Sequence, residues 1–208
     1  HRQERLTNNL YLRKALQHVI DMEELVYKVT KLPGYLPGKS IFPVWLYGAD
    51  RLLREEFPAP SVQLDLSLAE QYLDRARQEL ALESWPDLVL LTGDTPTANT
   101  QSEWLQGVLK NKLGLNIKID KQIFKQRLAK MTSGDFDLVM AGWGPDYDDP
   151  LTFGDLFASW NLNNRGRYAS SEMDKAIEIA QSAREPKRRM EAFNIIQNTI
   201  FEDVVILP

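Results

Sequence analysis

Apolar and polar positions follow two periods along this chain. Between Leu10 and Ile20, the residues Leu12, Ala15, Leu16, Val19 and Ile20 fall on one face of a helix, and Asn9 is placed to cap it. Asp21-Met-Glu-Glu24 reads as a capping box that opens a second, short helix to about Val29. A similar box, Ser67-Leu-Ala-Glu70, precedes Tyr72, Leu73, Ala76 and Leu80 at helical spacing. The run PDLVLLT, 86–92, is apolar and short, as a buried strand is. The run LNIKIDKQI, 115–123, alternates strictly and predicts a strand with one wetted face. DFDLVMAGW, 135–143, predicts a third strand. Between these lie a helix over 97–113, carried by Trp104, Leu105, Val108, Leu109 and Leu113 and closed by Gly114, and another near 123–132. Two last helices are expected over about 171–183 and 186–202, with Pro186 in the first turn of the second, where its missing N–H costs nothing.

Strands that alternate with helices predict an α/β fold with a mixed, partly parallel sheet flanked by helices. Residues 30–62 interrupt the pattern with Pro33, Pro37, Pro43, Pro58 and Pro60 and with Gly34, Gly38 and Gly48. So long an irregular excursion is expected to cover a surface or a site. No internal repeat or low-complexity tract divides the chain, which reads as one domain.

Composition changes the picture mainly by exclusion. With 208 residues and 43% hydrophobic content, the chain can bury a sizeable core. A net charge of -4 argues against a basic groove for nucleic acid. The absence of cysteine excludes thiolate sites, cysteine-based zinc sites and disulfides, and only two histidines leave no multi-histidine metal site. His18 lies on a helix and reads as a structural residue. No apolar run approaches the length of a membrane span, about 20 residues.

The candidate chemistry sits in AGWGPDYDDP, 141–150, just past the third strand. Ligands of open α/β sheets bind beyond the carboxyl ends of strands. Gly142 and Gly144 permit positive φ or close backbone approach. Trp143 offers a flat apolar face with one donor, and Asp146, Asp148 and Asp149 offer acceptors beside Tyr147. Asp148 or Asp149 is also placed to cap a helix starting near Pro150. An EF-hand loop begun at Asp146 fails, because its sixth and twelfth positions are Leu151 and Phe157. Asp137 or Asp146 as half of a glycosidase pair lacks an evident second carboxylate. Nucleophile-elbow, dinucleotide and P-loop motifs are absent. No catalytic residue, metal site or cofactor is expected. A carboxylate beside an aromatic face instead suits an ammonium group, such as the free amino end of a peptide.

These residues resemble a known family, the bacterial family 5 extracellular solute-binding proteins, and most closely its oligopeptide-binding members, which serve ABC importers. LRKALQHVIDMEEL (12–25) is similar to the helix that opens the family's third domain, and FKQRLAKMTSGDFDLVMAGWGPDYDDPLTFGDLF (124–157) to its central signature. NNRGRYASSEMDKAI (163–177) and RRMEAFNIIQNTIFEDVVILP (188–208) are similar to its closing segments. The resemblance implies one lobe of a two-lobed flytrap receptor, a binding protein and not an enzyme. Its expected partners are a peptide ligand, the missing lobe and membrane permease subunits, and it is expected outside the cytoplasmic membrane, in the periplasm or as a lipoprotein. The same resemblance implies that Asp146 pairs with the peptide ammonium and that the strand edge at Gly142 and Trp143 gives backbone hydrogen bonds, a form of β-augmentation. Some relatives place a basic residue three positions before the tryptophan to grip a carboxylate; that position is Met140 here. Lys125, Arg127 and Lys130 are other cations nearby, read as a solvated helix face.

The chain opens without methionine and stops on Val204-Val205-Ile206-Leu207, which reads as a strand entering a sheet. It is therefore expected to be a piece of a longer protein, with residues 1–8 and 204–208 as adjacent crossings to the missing lobe. Two alternatives share the pattern: the effector-sensing part of a transcriptional regulator, and an acidic α/β glycoside hydrolase.

Overall fold

The computed structural model of the chain describes all 208 residues. In chain order its helices are α1 (Leu10–Gln17), α2 (Met22–Glu24), α3 (Leu53–Glu56), α4 (Leu66–Glu79), α5 (Pro96–Leu113), α6 (Phe124–Ser133), α7 (Leu151–Gly154), α8 (Ser171–Ser182) and α9 (Pro186–Glu202). The strands are β1 (Leu88–Gly93), β2 (Ile117–Gln122) and β3 (Leu138–Val139). Two compact units result: residues 1–37 with 62–142, and residues 38–61 with 143–208.

The first unit holds the sheet, in the order β2-β1-β3, and both pairings are parallel. β1 is central because its apolar run satisfies burial on both faces; Leu88, Leu90 and Leu91 are almost wholly inaccessible. β2 is one of the two edge strands, with Lys118 and Lys121 facing water. β3 is much shorter than the run DFDLVMAGW predicts. At its start the Asp137 carboxylate takes the Val89 N–H at 2.7 Å, in place of a ladder carbonyl. At its end the Met140 N–H reaches Leu91 O at 2.9 Å, after which residues 141–144 are exposed and leave the sheet.

Local signals set most helix boundaries. The side chains of Asn9, Asp21, Thr95 and Ser170 accept the N–H of the residue three further on, as N-caps do. Gly114 ends α5 in the left-handed conformation, φ 67°. The Ser67 box is displaced, since α4 starts at Leu66 and its cap is Asp65, whose carboxylate accepts the Leu68 N–H at 2.9 Å. After α2 the chain continues as π-helix over Leu25–Thr30. α1 packs on α4, where Tyr11 stacks on Tyr72 with centroids 5.9 Å apart.

The second unit is built on the helical pair α8 and α9. Met173, Ala176, Ile177 and Ala180 meet Met190, Phe193, Ile196 and Ile200 in its core. The proline-rich excursion joins this core through Phe42, Leu46 and Leu53, and Phe42 meets Phe193 edge-on at 5.5 Å. Residues 204–207 form no strand. The Val204 N–H returns to Phe201 O and the Val205 N–H to Ile200 O, a Schellman closure of α9 with the buried Val204 at φ 46°.

Candidate functional site

The loop from Trp143 to Asp149 belongs to the second unit, and α7 fixes it from below. Thr152, 3% exposed, accepts the Trp143 indole N–H at 3.4 Å and the Asp146 backbone N–H at 3.3 Å. One buried hydroxyl thus ties both ends of Trp-x-x-Asp together. Asp149 accepts the Leu151 N–H at 2.8 Å two residues on, although the N-cap position of α7 falls to Pro150 and not to the expected aspartate, and its two oxygens take both Arg189 guanidinium nitrogens at 2.7 Å. Burial alone would raise the Asp149 carboxyl, but these hydrogen bonds and the arginine charge outweigh it and hold the group below the usual carboxylate range. The same arginine donates Nε–H to Ala180 O at 2.8 Å, which locks the loop to α8.

Asp146 has none of these ties. It is exposed, and it takes part in none of the ion pairs of the chain. It borders a hollow of about 340 Å³ lined by Trp45, Leu46, Pro145, Asp146, Tyr147, Asp148 and Phe153. The negative potential there is felt by its neighbours. Burial and the Asp146 charge push the Asp155 carboxyl up, and burial with Asp155, Asp149 and Asp146 pushes the Tyr147 phenol up. A mostly apolar hollow rimmed by unpaired acids is suited to a cation with an apolar body.

The predicted residues therefore separate. Asp146 and Tyr147 come together at the hollow, whereas Trp143 is 39% exposed and does not line it. Trp45 from the proline-rich excursion supplies the indole there instead. Gly142 and Gly144 are exposed, and a Cβ on either would meet no other atom of the chain; of the two freedoms read for them, positive φ is not used. Sequence reasoning missed Trp45 and Arg189, whose roles depend on contacts far along the chain, and Thr152, whose partners lie only nine and six residues before it but form no recognisable motif with it. Asp137, weighed as half of a glycosidase pair, is committed to Val89 and to Arg5 at 3.5 Å. Lys125 is exposed, and Lys130 is paired with Asp120 at 2.5 Å and Asp135 at 3.2 Å. Arg127 is not on a solvated face: its Nε is buried, and Nη1 lies 3.4 Å from Met140 O. His18 bonds Gln63 O at 3.0 Å, a structural role.

One unit thus holds a parallel α/β sheet flanked by helices, and the other an acidic, aromatic hollow. The chain belongs to the bacterial extracellular solute-binding proteins, family 5, whose middle-region model matches residues 2–164. It is 28% identical to a dipeptide-binding protein of Lactococcus lactis over 96% of its length, and 28% identical to the periplasmic oligopeptide-binding protein OppA of Salmonella typhimurium over 97%. It spans 37% and 36% of those two relatives. A crystal structure described as a peptide-binding protein of a peptide ABC transporter matches with a TM-score of 0.91 at 31% identity, over 100% of this chain and 93% of that one. The substrate-binding domain of an oligopeptide ABC transporter from Bacillus anthracis matches with a TM-score of 0.90 at 27% identity, over 99% of this chain and 40% of that one. These relatives are binding proteins, not enzymes.

Proposed function

We propose that this chain is a lobe of a peptide receptor that delivers its ligand to an ABC permease outside the cytoplasmic membrane. Asp146 receives the α-ammonium of the peptide, Tyr147 and Trp45 flank it, Trp143 is tied to the same loop through Thr152, and the exposed backbone at Gly142 and Gly144 pairs with the extended ligand. Backbone pairing ignores side-chain identity, so it suits a receptor for peptides of varied sequence. The observation that carries this reading is the contrast between two acids of one loop. Asp149 is neutralised by Arg189, while Asp146 stands at the hollow with no cation of its own. The relatives, a dipeptide-binding and an oligopeptide-binding protein, support the ligand class.

The test is calorimetry on the full-length protein with Asp146→Ala and Asp146→Asn. Either change is expected to weaken peptide binding by at least about tenfold, the loss of one charge-assisted contact. Peptide affinity unchanged in both variants would refute the assignment.

A further inference from the structure

Trp45 and Leu46 reach the hollow from a tight reversal of the proline-rich excursion. The Leu53 N–H returns to Leu46 O at 2.9 Å, Tyr47 pairs with Leu52, and the Gly48 N–H meets Arg51 O at 2.6 Å. The N–H groups at the tip of this turn converge on one side chain. Glu56, the last residue of α3, takes the Ala49 N–H on Oε2 at 3.0 Å and those of Asp50 and Arg51 on Oε1 at 2.6 and 2.9 Å. Successive backbone N–H groups form an anion-binding concavity, and here the chain's own carboxylate fills it. Burial alone would raise the Glu56 carboxyl, but the three bonds and the Arg51 charge hold it below the usual range. Gly48 belongs to the same arrangement, since a Cβ there would collide with the carboxylate.

This seat bears on the hollow because of where Trp45 stands. Its neighbour Leu46 is buried with Phe42 and Leu53, whereas Trp45 itself is 60% exposed. Packing therefore fixes the ring weakly, and its place depends on the backbone that carries it. α3 grips that backbone on both sides: Arg54 donates to Phe42 O before Trp45, and Glu56 holds residues 49–51 after it. Asp146 and Tyr147 come to the hollow from another loop, so its width is set by how firmly the two segments are held. Thr152 and Arg189 secure one of them, and Glu56 secures the other.

We propose that Glu56 is a positioning residue for ligand binding: it seats the 48–51 turn on α3 and so holds Trp45 as a wall of the hollow that Asp146 borders. This role rests on the proposed peptide-binding function. Glu56 itself touches no ligand; it acts on the apolar contact between the Trp45 ring and the body that carries the ammonium. Glutamine at this position keeps the shape but turns an NH2 group towards N–H donors, which leaves at least one of them unmatched.

The test is a double-mutant cycle in the full-length protein, with trileucine titrated by calorimetry into wild type, Glu56→Gln, Trp45→Ala and the double variant. Glu56→Gln is expected to weaken binding by about fivefold or more when Trp45 is present, and by less than about twofold in the Trp45→Ala background. A Glu56 that merely stabilises the fold lowers the urea midpoint and leaves the two backgrounds alike. Equal losses in both backgrounds, or no loss in either, overturn the role. A second measurement needs no ligand. With 5-fluorotryptophan in place of the five tryptophans of the chain, the Trp45 resonance is assigned by its absence in Trp45→Phe. Glu56→Gln, and Gly48→Ala, which expels the carboxylate by another route, are both expected to move that resonance towards its position in the urea-unfolded chain and to leave the others in place. A Trp45 resonance unmoved in both variants overturns the positioning role. A wild type that binds no trileucine, while the resonance moves as expected, counts against the proposed function alone.

Discussion

Asp146 and Asp149 are three residues apart in one loop, and they differ in what the fold brings to them. Arg189, 40 positions away, arrives from α9 and claims Asp149 with both nitrogens. Arg189→Ala leaves a half-buried carboxylate uncompensated, and is expected to cost about 2–3 kcal/mol in urea unfolding. The pH dependence follows with a definite sign. The Asp149 carboxyl is held below its unfolded value, so its contribution is complete above the ordinary aspartate pKa of about 3.9 and is lost as pH falls through the lower, folded value. Stability of the wild type should therefore drop below about pH 4, and more steeply than that of Arg189→Ala. Thr152→Val removes the acceptor shared by Trp143 and Asp146; a loss of about 1 kcal/mol is expected, together with weaker peptide binding. The sequence placed Asp146 past a strand end, because that follows from local order. It did not expose Thr152 or Arg189, because a hydroxyl or a guanidinium finds its partner only through tertiary packing.

Most elements were legible where the signal is local, the displaced Ser67 box aside. Asn9 and Asp21 cap at a distance of three residues, and Pro186 and Gly114 act on their own backbone, so these boundaries emerge directly from the sequence, whereas the Thr95 cap of α5 went unread. α5 allows this to be tested with one substitution type and opposite signs. Gly114→Ala places a Cβ at φ 67° with no atom nearby to be crowded, so the cost is conformational, about 1 kcal/mol. Gly107→Ala, inside the same helix and equally uncrowded, is expected to stabilise by about 0.5–1 kcal/mol; thermal unfolding of the pair checks both. The misread elements are those whose length depends on a neighbour. β3 stops because residues 141–144 leave the sheet while β1 runs on to Gly93, and residues 204–207, apolar enough for a strand, are instead drawn back onto the end of α9.

At the scale of the molecule, the α/β class and the parallel sheet followed from the order of strands and helices, and the family resemblance rested on continuous motifs. The division into two compact units did not, because the excursion over 38–61 joins the core of 143–208 through Phe42, Leu46 and Leu53, contacts far apart in the chain. The chain spans 37% and 36% of the two relatives compared above, and in a two-lobed receptor both lobes enclose the ligand. Peptide titrated into the 208-residue chain alone is therefore expected to bind far more weakly than to the full-length protein. Submicromolar affinity in the isolated chain would contradict that expectation. The central claim concerns one carboxylate, and a crystal structure of the full-length protein with a bound peptide tests it most directly. The account predicts the peptide's terminal nitrogen within about 3 Å of an Asp146 oxygen; a peptide whose amino end lies elsewhere, with Asp146 facing only water, would contradict it.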